Sequence, residues 1–192
     1  MPFPLAAGTR DTIERYFRRH DLAWTEEFFV RVLESSERKH DVYWATIALR
    51  ECGTATCLDA LKAKLHYPMQ DVKCTSLLTV AHIAGPSETP LYAAALLDPA
   101  YREKGYAMWA IRDAADARAV DAVLAYFRKN RSKLKNGTLV NGTVADGIEY
   151  LARYRADPGV GAFLEEVRGV GDRLGPGNVA EIKKRVPGFF AA

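Results

Sequence analysis

Asp41-Val42-Tyr43-Trp44-Ala45-Thr46-Ile47-Ala48-Leu49-Arg50-Glu51-Cys52-Gly53 begins with an acid and closes on a glycine. Between them Ala45, Ala48, Leu49 and Cys52 recur at helical spacing, which predicts one amphipathic helix with a stripe of small residues. An early acid and a glycine after the last turn suit the two ends of a helix. Moved along by 31 positions, the pattern returns: Ala45 falls on Ser76 and Leu49 on Val80. A second move takes Ser76 to Ala107, Val80 to Ile111 and Leu96 to Phe127, and Pro68 falls on Pro99. Small residues land on small ones, large apolar residues on large ones, and breaks on breaks.

The same alternation extends outward. Breaks stand at Gly53, Pro68, Gly85-Pro86, Pro99, Asn136-Gly137, Asp157-Pro158 and Gly175-Pro176-Gly177. The apolar residues between them keep helical spacing, and no stretch sustains the period-two alternation of a half-buried strand. The expected fold is all-α. A repeat of about 31 residues with two helices per unit predicts an α-solenoid of about five antiparallel helix pairs. One helix pair cannot bury its apolar face alone, whereas stacked neighbours bury it jointly.

Beyond residue 130 the offset lengthens to 40, with Ala107 and Ile111 matched by Gly147 and Leu151. The insertion holds a duplicated Asn-Gly-Thr at 136–138 and 141–143, expected as an ordered loop or tight turn. Pro158 to Val186 predicts a final helix pair, with Phe189-Phe190 tucked into its groove. One domain is expected over 1–192. It comprises N-terminal helices in 1–39, core repeats in 40–135, and a terminal repeat and cap in 136–192.

The stretch Asp41 to Gly53 resembles the second helix of a HEAT-like, armadillo-type repeat, as does Asp71-Val72-Lys73 leading to Ser76 and Val80. Leu91 to Leu97 followed by Asp98-Pro99 resembles the first helix and inter-repeat turn of that family. The resemblance covers about residues 40–130. It departs where the family's arginine is replaced by Tyr43, by Lys73 and, in the third unit, by Glu103-Lys104. The resemblance implies a concave face lined by second helices, on which residues 31 apart form columns. These are Trp44, Thr75 and Tyr106; Ile47, Leu78 and Trp109; and Glu51, His82 and Asp113, flanked by Arg50 and Arg112. With Tyr43 added, the aromatic, arginine and acidic residues of these columns are the composition of protein-interface anchors.

The 192 residues carry 27 basic and 24 acidic side chains, a formal charge of +3, and are 48% hydrophobic. That is an ordinary globular composition, which excludes collagen, disordered and disulfide-scaffold classes. Five of the cations, Arg128, Lys129, Arg131, Lys133 and Lys135, sit in one run without an acid. They are either a solvated helix end or a footprint for nucleic-acid phosphates. Cys52, Cys57 and Cys74 are odd in number and form no CxxC pair, which suits a reducing, cytoplasmic setting. Met1-Pro2-Phe3-Pro4 lacks the basic start of a leader, and no run of eighteen apolar residues is present.

Catalytic patterns are sparse. His20-Asp21 and His40-Asp41 are adjacent pairs at helix starts, where Asp serves as a helix opener rather than an acid–base partner. No H-x-x-x-H, H-E-x-x-H or G-x-S-x-G spacing occurs, and neither a metal nor a cofactor is expected. Cys52 is expected in the core and Cys74 to be partly buried. Gly169 to Gly177 is glycine-rich but lacks a Walker lysine and a preceding strand, so it predicts a helix–helix connection. The expected function is a non-enzymatic module binding another protein through Tyr43, Trp44, Arg50, Glu51, His82, Tyr106, Trp109, Arg112 and Asp113. Small proteins of HEAT-like build include inhibitors, toxin-immunity proteins and assembly factors. Nucleic-acid binding through 128–135 is the alternative. HEAT-like bilin lyases add a small-ligand possibility in the same groove. No membrane partner is expected.

Overall fold

The computed structural model describes residues 5–18, 22–139 and 141–191. Met1-Pro2-Phe3-Pro4 and the His20-Asp21 pair lie outside them. The fold is all-helical, with no strand among the described residues, and it divides into two compact units, Met1–Glu88 and Thr89–Ala192. Among the described residues no helix is long and apolar enough to cross a membrane.

The first unit holds α1 (Thr9–Phe17), α2 (Glu26–Ser35), α3 (Lys39–Cys52), α4 (Leu58–Ala63) and α5 (Gln70–Ala84). Thr25 caps α2 by accepting the Phe28 N–H, with Glu26 and Glu27 in the first turn, where the helix dipole favours acids. The central helix α3 packs on both α2 and α5, and α4 packs on α5. Leu33, Leu49, Leu61 and Leu77 are fully buried there. Burial of each such side chain contributes about 2 kcal/mol. Contact on more than one side explains why α5 hides Cys74, Ser76 and Thr79 as well as Val72 and Val80. The Thr79 hydroxyl satisfies itself across the α3 boundary by donating to the Thr46 carbonyl at 2.9 Å. Cys74 is therefore buried rather than partly exposed, whereas Cys52, on the last turn of α3, is half-buried.

The second unit holds α6 (Thr89–Leu97), α7 (Lys104–Ala114), α8 (Val120–Lys129), α9 (Arg131–Lys135), α10 (Asn141–Ala152), α11 (Pro158–Gly169) and α12 (Pro176–Arg185). Two rows emerge from the packing. α7, α10 and α12 lie in contact succession, and α6, α8 and α11 form the other succession. The α6–α7 and α10–α11 contacts join the rows. Ala107, Ile111, Phe127, Ile148 and Leu151 are fully buried between them.

Gly147 shows why a small residue recurs at this position. A Cβ there would lie 2.5 Å from the Phe127 ring and 3.2 Å from the Met108 methyl. Phe127 in turn stacks on Phe163 of α11, with centroids 5.3 Å apart.

The two Asn-Gly-Thr copies part company. The first is a turn whose Gly137 has φ +66°, and a Cβ there would meet the Gly175 backbone nitrogen at 2.9 Å. The second is no loop: residues 141–143 open α10, and the Thr143 side chain is buried. The glycine-rich 169–177 stretch is a helix–helix connection between α11 and α12. Phe189 is buried, its carbonyl accepting from Arg168 Nε at 2.7 Å.

Candidate binding groove

In α7 the residues Ala107, Met108, Ala110 and Ile111 take the buried face, which leaves Tyr106 and Trp109 outward, three residues apart on one side. They are 38% and 36% exposed, among the few large hydrophobic side chains so placed. Both face a cavity of about 610 Å³, within the usual size range of ligand sites. Leu97, Pro99 and Leu139 supply apolar wall, and the buried Tyr126 of α8 faces the same space. The first turn of α10, through Gly142 and Thr143, closes one side.

The cations of the groove come from three places. Arg102 enters from the turn before α7 and Lys104 from its first residue, Lys129 from the end of α8 and Lys133 from α9. Lys104 donates to the Ala95 carbonyl at 3.0 Å and to the Asp98 carbonyl, capping the end of α6. Burial pushes its pKa below the ordinary value, assisted by the neighbouring Lys129 and opposed by Asp98.

The turn at Asn130 between α8 and α9 splits the basic run. Lys129 and Lys133, four apart, turn into the groove. Arg131 and Lys135, also four apart, turn to Glu166 of α11 at 2.6 and 3.2 Å. Burial would raise the Glu166 pKa, but hydrogen bonds from Arg131 and Lys135 outweigh it and hold the carboxylate below the ordinary value. Among the described residues neither Lys129 nor Lys133 has a carboxylate within ion-pair distance.

Beneath the groove lies a buried charge cluster. Asp146 of α10, only 8% exposed in its side chain, is gripped by Arg112 of α7 and Arg185 of α12. Arg112 also makes a fork to Asp113, at 2.5 and 2.9 Å, and Asp113 accepts the Trp109 indole N–H at 2.8 Å. Arg185 reaches Glu181 at 3.1 Å and lies 3.7 Å from Glu149. Burial pushes the Asp146 carboxyl upward against the pull of both guanidiniums. Asp146 thus ties α7, α10 and α12 together through Arg112 and Arg185, and Asp113 orients Trp109; Arg112 and Asp113 do not line the cavity.

Comparison with protein-family models, with curated proteins and with solved structures finds no match. The geometry alone carries the functional reading.

The corresponding residues of the first unit are differently engaged. Trp44 and Tyr43 are half-buried and pack on each other at 5.0 Å, with Tyr16 of α1 6.2 Å from Trp44. Glu51 accepts from Arg10 at 2.7 Å, and Arg50 Nε donates to the Thr79 hydroxyl at 3.5 Å. His82 is half-buried; burial and then Arg50 lower its pKa, so it is neutral at ordinary pH. Asp41 is buried in the first turn of α3, accepting from the Tyr16 and Ser36 hydroxyls at 2.6 and 2.8 Å, while His40 is exposed. Burial pushes the Cys52 thiol up to about 11 and the Cys57 thiol up to about 12, the second with help from a hydrogen bond to Glu26. Both are held as thiols.

Of the residues that the sequence nominates, the structure brings Tyr106, Trp109, Lys129 and Lys133 together. Tyr126, Arg102, Lys104 and Asp146 complete the surroundings and were not singled out. For Asp146 a signal exists: an acid between Val144-Ala145 and Ile148 sits on an apolar face and demands a cationic partner.

Proposed function

We propose that this chain is a non-enzymatic binding module built from HEAT-like helix pairs, which holds a partner protein in the α6–α10 groove. The two helix rows of the second unit and the 31-residue offset support the repeat reading. The observation that carries the function is the meeting of exposed Tyr106 and Trp109 with Lys129 and Lys133 at one cavity. Large aromatic rings rimmed by charge are the composition of interface hot spots. A reducing cytoplasm suits the three free cysteines. A sequestering role, as in inhibitors or immunity proteins, fits a module of this size.

The test is capture from native lysate, with nuclease, by the wild type, by Tyr106→Ala/Trp109→Ala and by Trp44→Ala. One protein near equal stoichiometry, lost from the α7 double variant and retained by Trp44→Ala, is the expected result. Equal capture by a folded α7 variant contradicts the groove assignment, and a nucleic acid replacing the protein contradicts the partner class.

A further inference from the structure

We infer that the segment docking in the groove is acidic, presenting carboxylates beside an apolar or aromatic anchor; this rests on the groove being the binding surface. The charge balance points that way. Arg102, Lys104, Lys129 and Lys133 line the cavity against two acids, Glu103 and Asp146. Asp146 is already compensated by Arg112 and Arg185, so among the described lining residues Glu103 is left to oppose four cations. Charge complementarity of this kind selects partners and steers their approach. The apolar wall of Leu97, Pro99 and Leu139 lies beside the cations, so one short peptide meets both.

A nucleic acid fits less well. A strand needs a continuous basic track with aromatic faces on which successive bases stack. Here two of the five cations of the basic run are turned to Glu166. The Tyr106 and Trp109 rings stand 6.2 Å apart and 37° from parallel, which leaves no slot for a base between them.

The experiment titrates the wild type with three probes. They are a fluorescein-labelled peptide of alternating glutamate and leucine, its lysine–leucine counterpart, and oligo-dT, read by anisotropy. The acidic peptide is expected to bind, and to weaken as salt rises. Lys129→Glu/Lys133→Glu should weaken it by about tenfold or more, and Lys129→Gln/Lys133→Gln by less. Arg131→Gln/Lys135→Gln, on the side facing Glu166, should leave it within about twofold. Circular dichroism checks that each variant is folded.

Preference for oligo-dT, or absence of acidic-peptide binding to the folded wild type, overturns the inference. Lysine–leucine binding that is lost in Trp109→Ala but indifferent to Lys129 and Lys133 overturns the acidic chemistry alone and leaves the groove standing. Acidic-peptide binding unaffected by either Tyr106→Ala/Trp109→Ala or the lysine reversals contradicts the groove itself.

Discussion

The two units treat positions related by multiples of the 31-residue offset in opposite ways. In the first unit Trp44 leans on Tyr16, Glu51 holds Arg10 and Arg50 holds Thr79, so α1 and α5 occupy what the column offers. In the second unit Tyr106 and Trp109, which lie two 31-residue offsets beyond Trp44 and Ile47, face an open cavity ringed by lysines. Ile47 and Leu78, which the offset aligns with Trp109, are buried. Helical spacing therefore specifies where a side chain points along a helix. Whether it becomes core or contact surface depends on what the neighbouring element lays over it.

The sharpest contrast is in charge. Asp146→Ala removes the buried carboxylate shared by Arg112 and Arg185 and should cost about 3 kcal/mol by urea denaturation, as for a broken buried ion pair. Glu51→Ala removes an exposed pair of the first unit and should leave the denaturation midpoint unchanged. Equal losses would erase the distinction. Next in size, Gly147→Ala drives a methyl into Phe127 and should cost about 2 kcal/mol, seen as a lowered Tm. The tryptophans then separate packing from display. Trp44→Ala should cost about 2 kcal/mol, and Trp109→Ala less than about 1 kcal/mol, by the same assay.

The smallest effects lie in pH dependence. Asp116 is held down to about 2 by its hydrogen bond to Arg118, so its contribution is full above the ordinary 3.8 and disappears as pH falls toward 2. His82 is also lowered, from 6.5, chiefly by burial, so its contribution is full above 6.5 and declines as pH falls below that. Asp116→Asn should flatten the acid limb of the stability profile, and His82→Gln the limb just below 6.5.

Much of the helical frame was legible. The 31-residue offset aligns Ser76, Val80, Ala107 and Ile111, all fully buried, and the breaks at Gly53, Pro99 and Asp157-Pro158 flank real helices. The exposure of Tyr106 and Trp109 was legible in the composition of their surroundings, which is that of interface anchors. The split of the basic run was not, because it depends on Glu166, a residue 35 positions from Arg131. Asp146 and Arg185 are 39 positions apart, and local spacing does not pair them. The second Asn-Gly-Thr misleads for a related reason. Its turn chemistry is local, whereas contact of α10 with α7 and α12 makes the segment helical.

The most direct measurement is collisional quenching in single-tryptophan proteins. Trp109 is kept by Trp24→Phe/Trp44→Phe, and Trp44 by Trp24→Phe/Trp109→Phe. Lysines 129 and 133 should concentrate an anion at the groove, so iodide should quench Trp109 more than neutral acrylamide does, relative to Trp44. Lys129→Glu/Lys133→Glu should abolish that excess. Equal iodide-to-acrylamide ratios at both tryptophans, or an excess that survives the lysine reversal, would contradict an open cationic aromatic groove in the second unit.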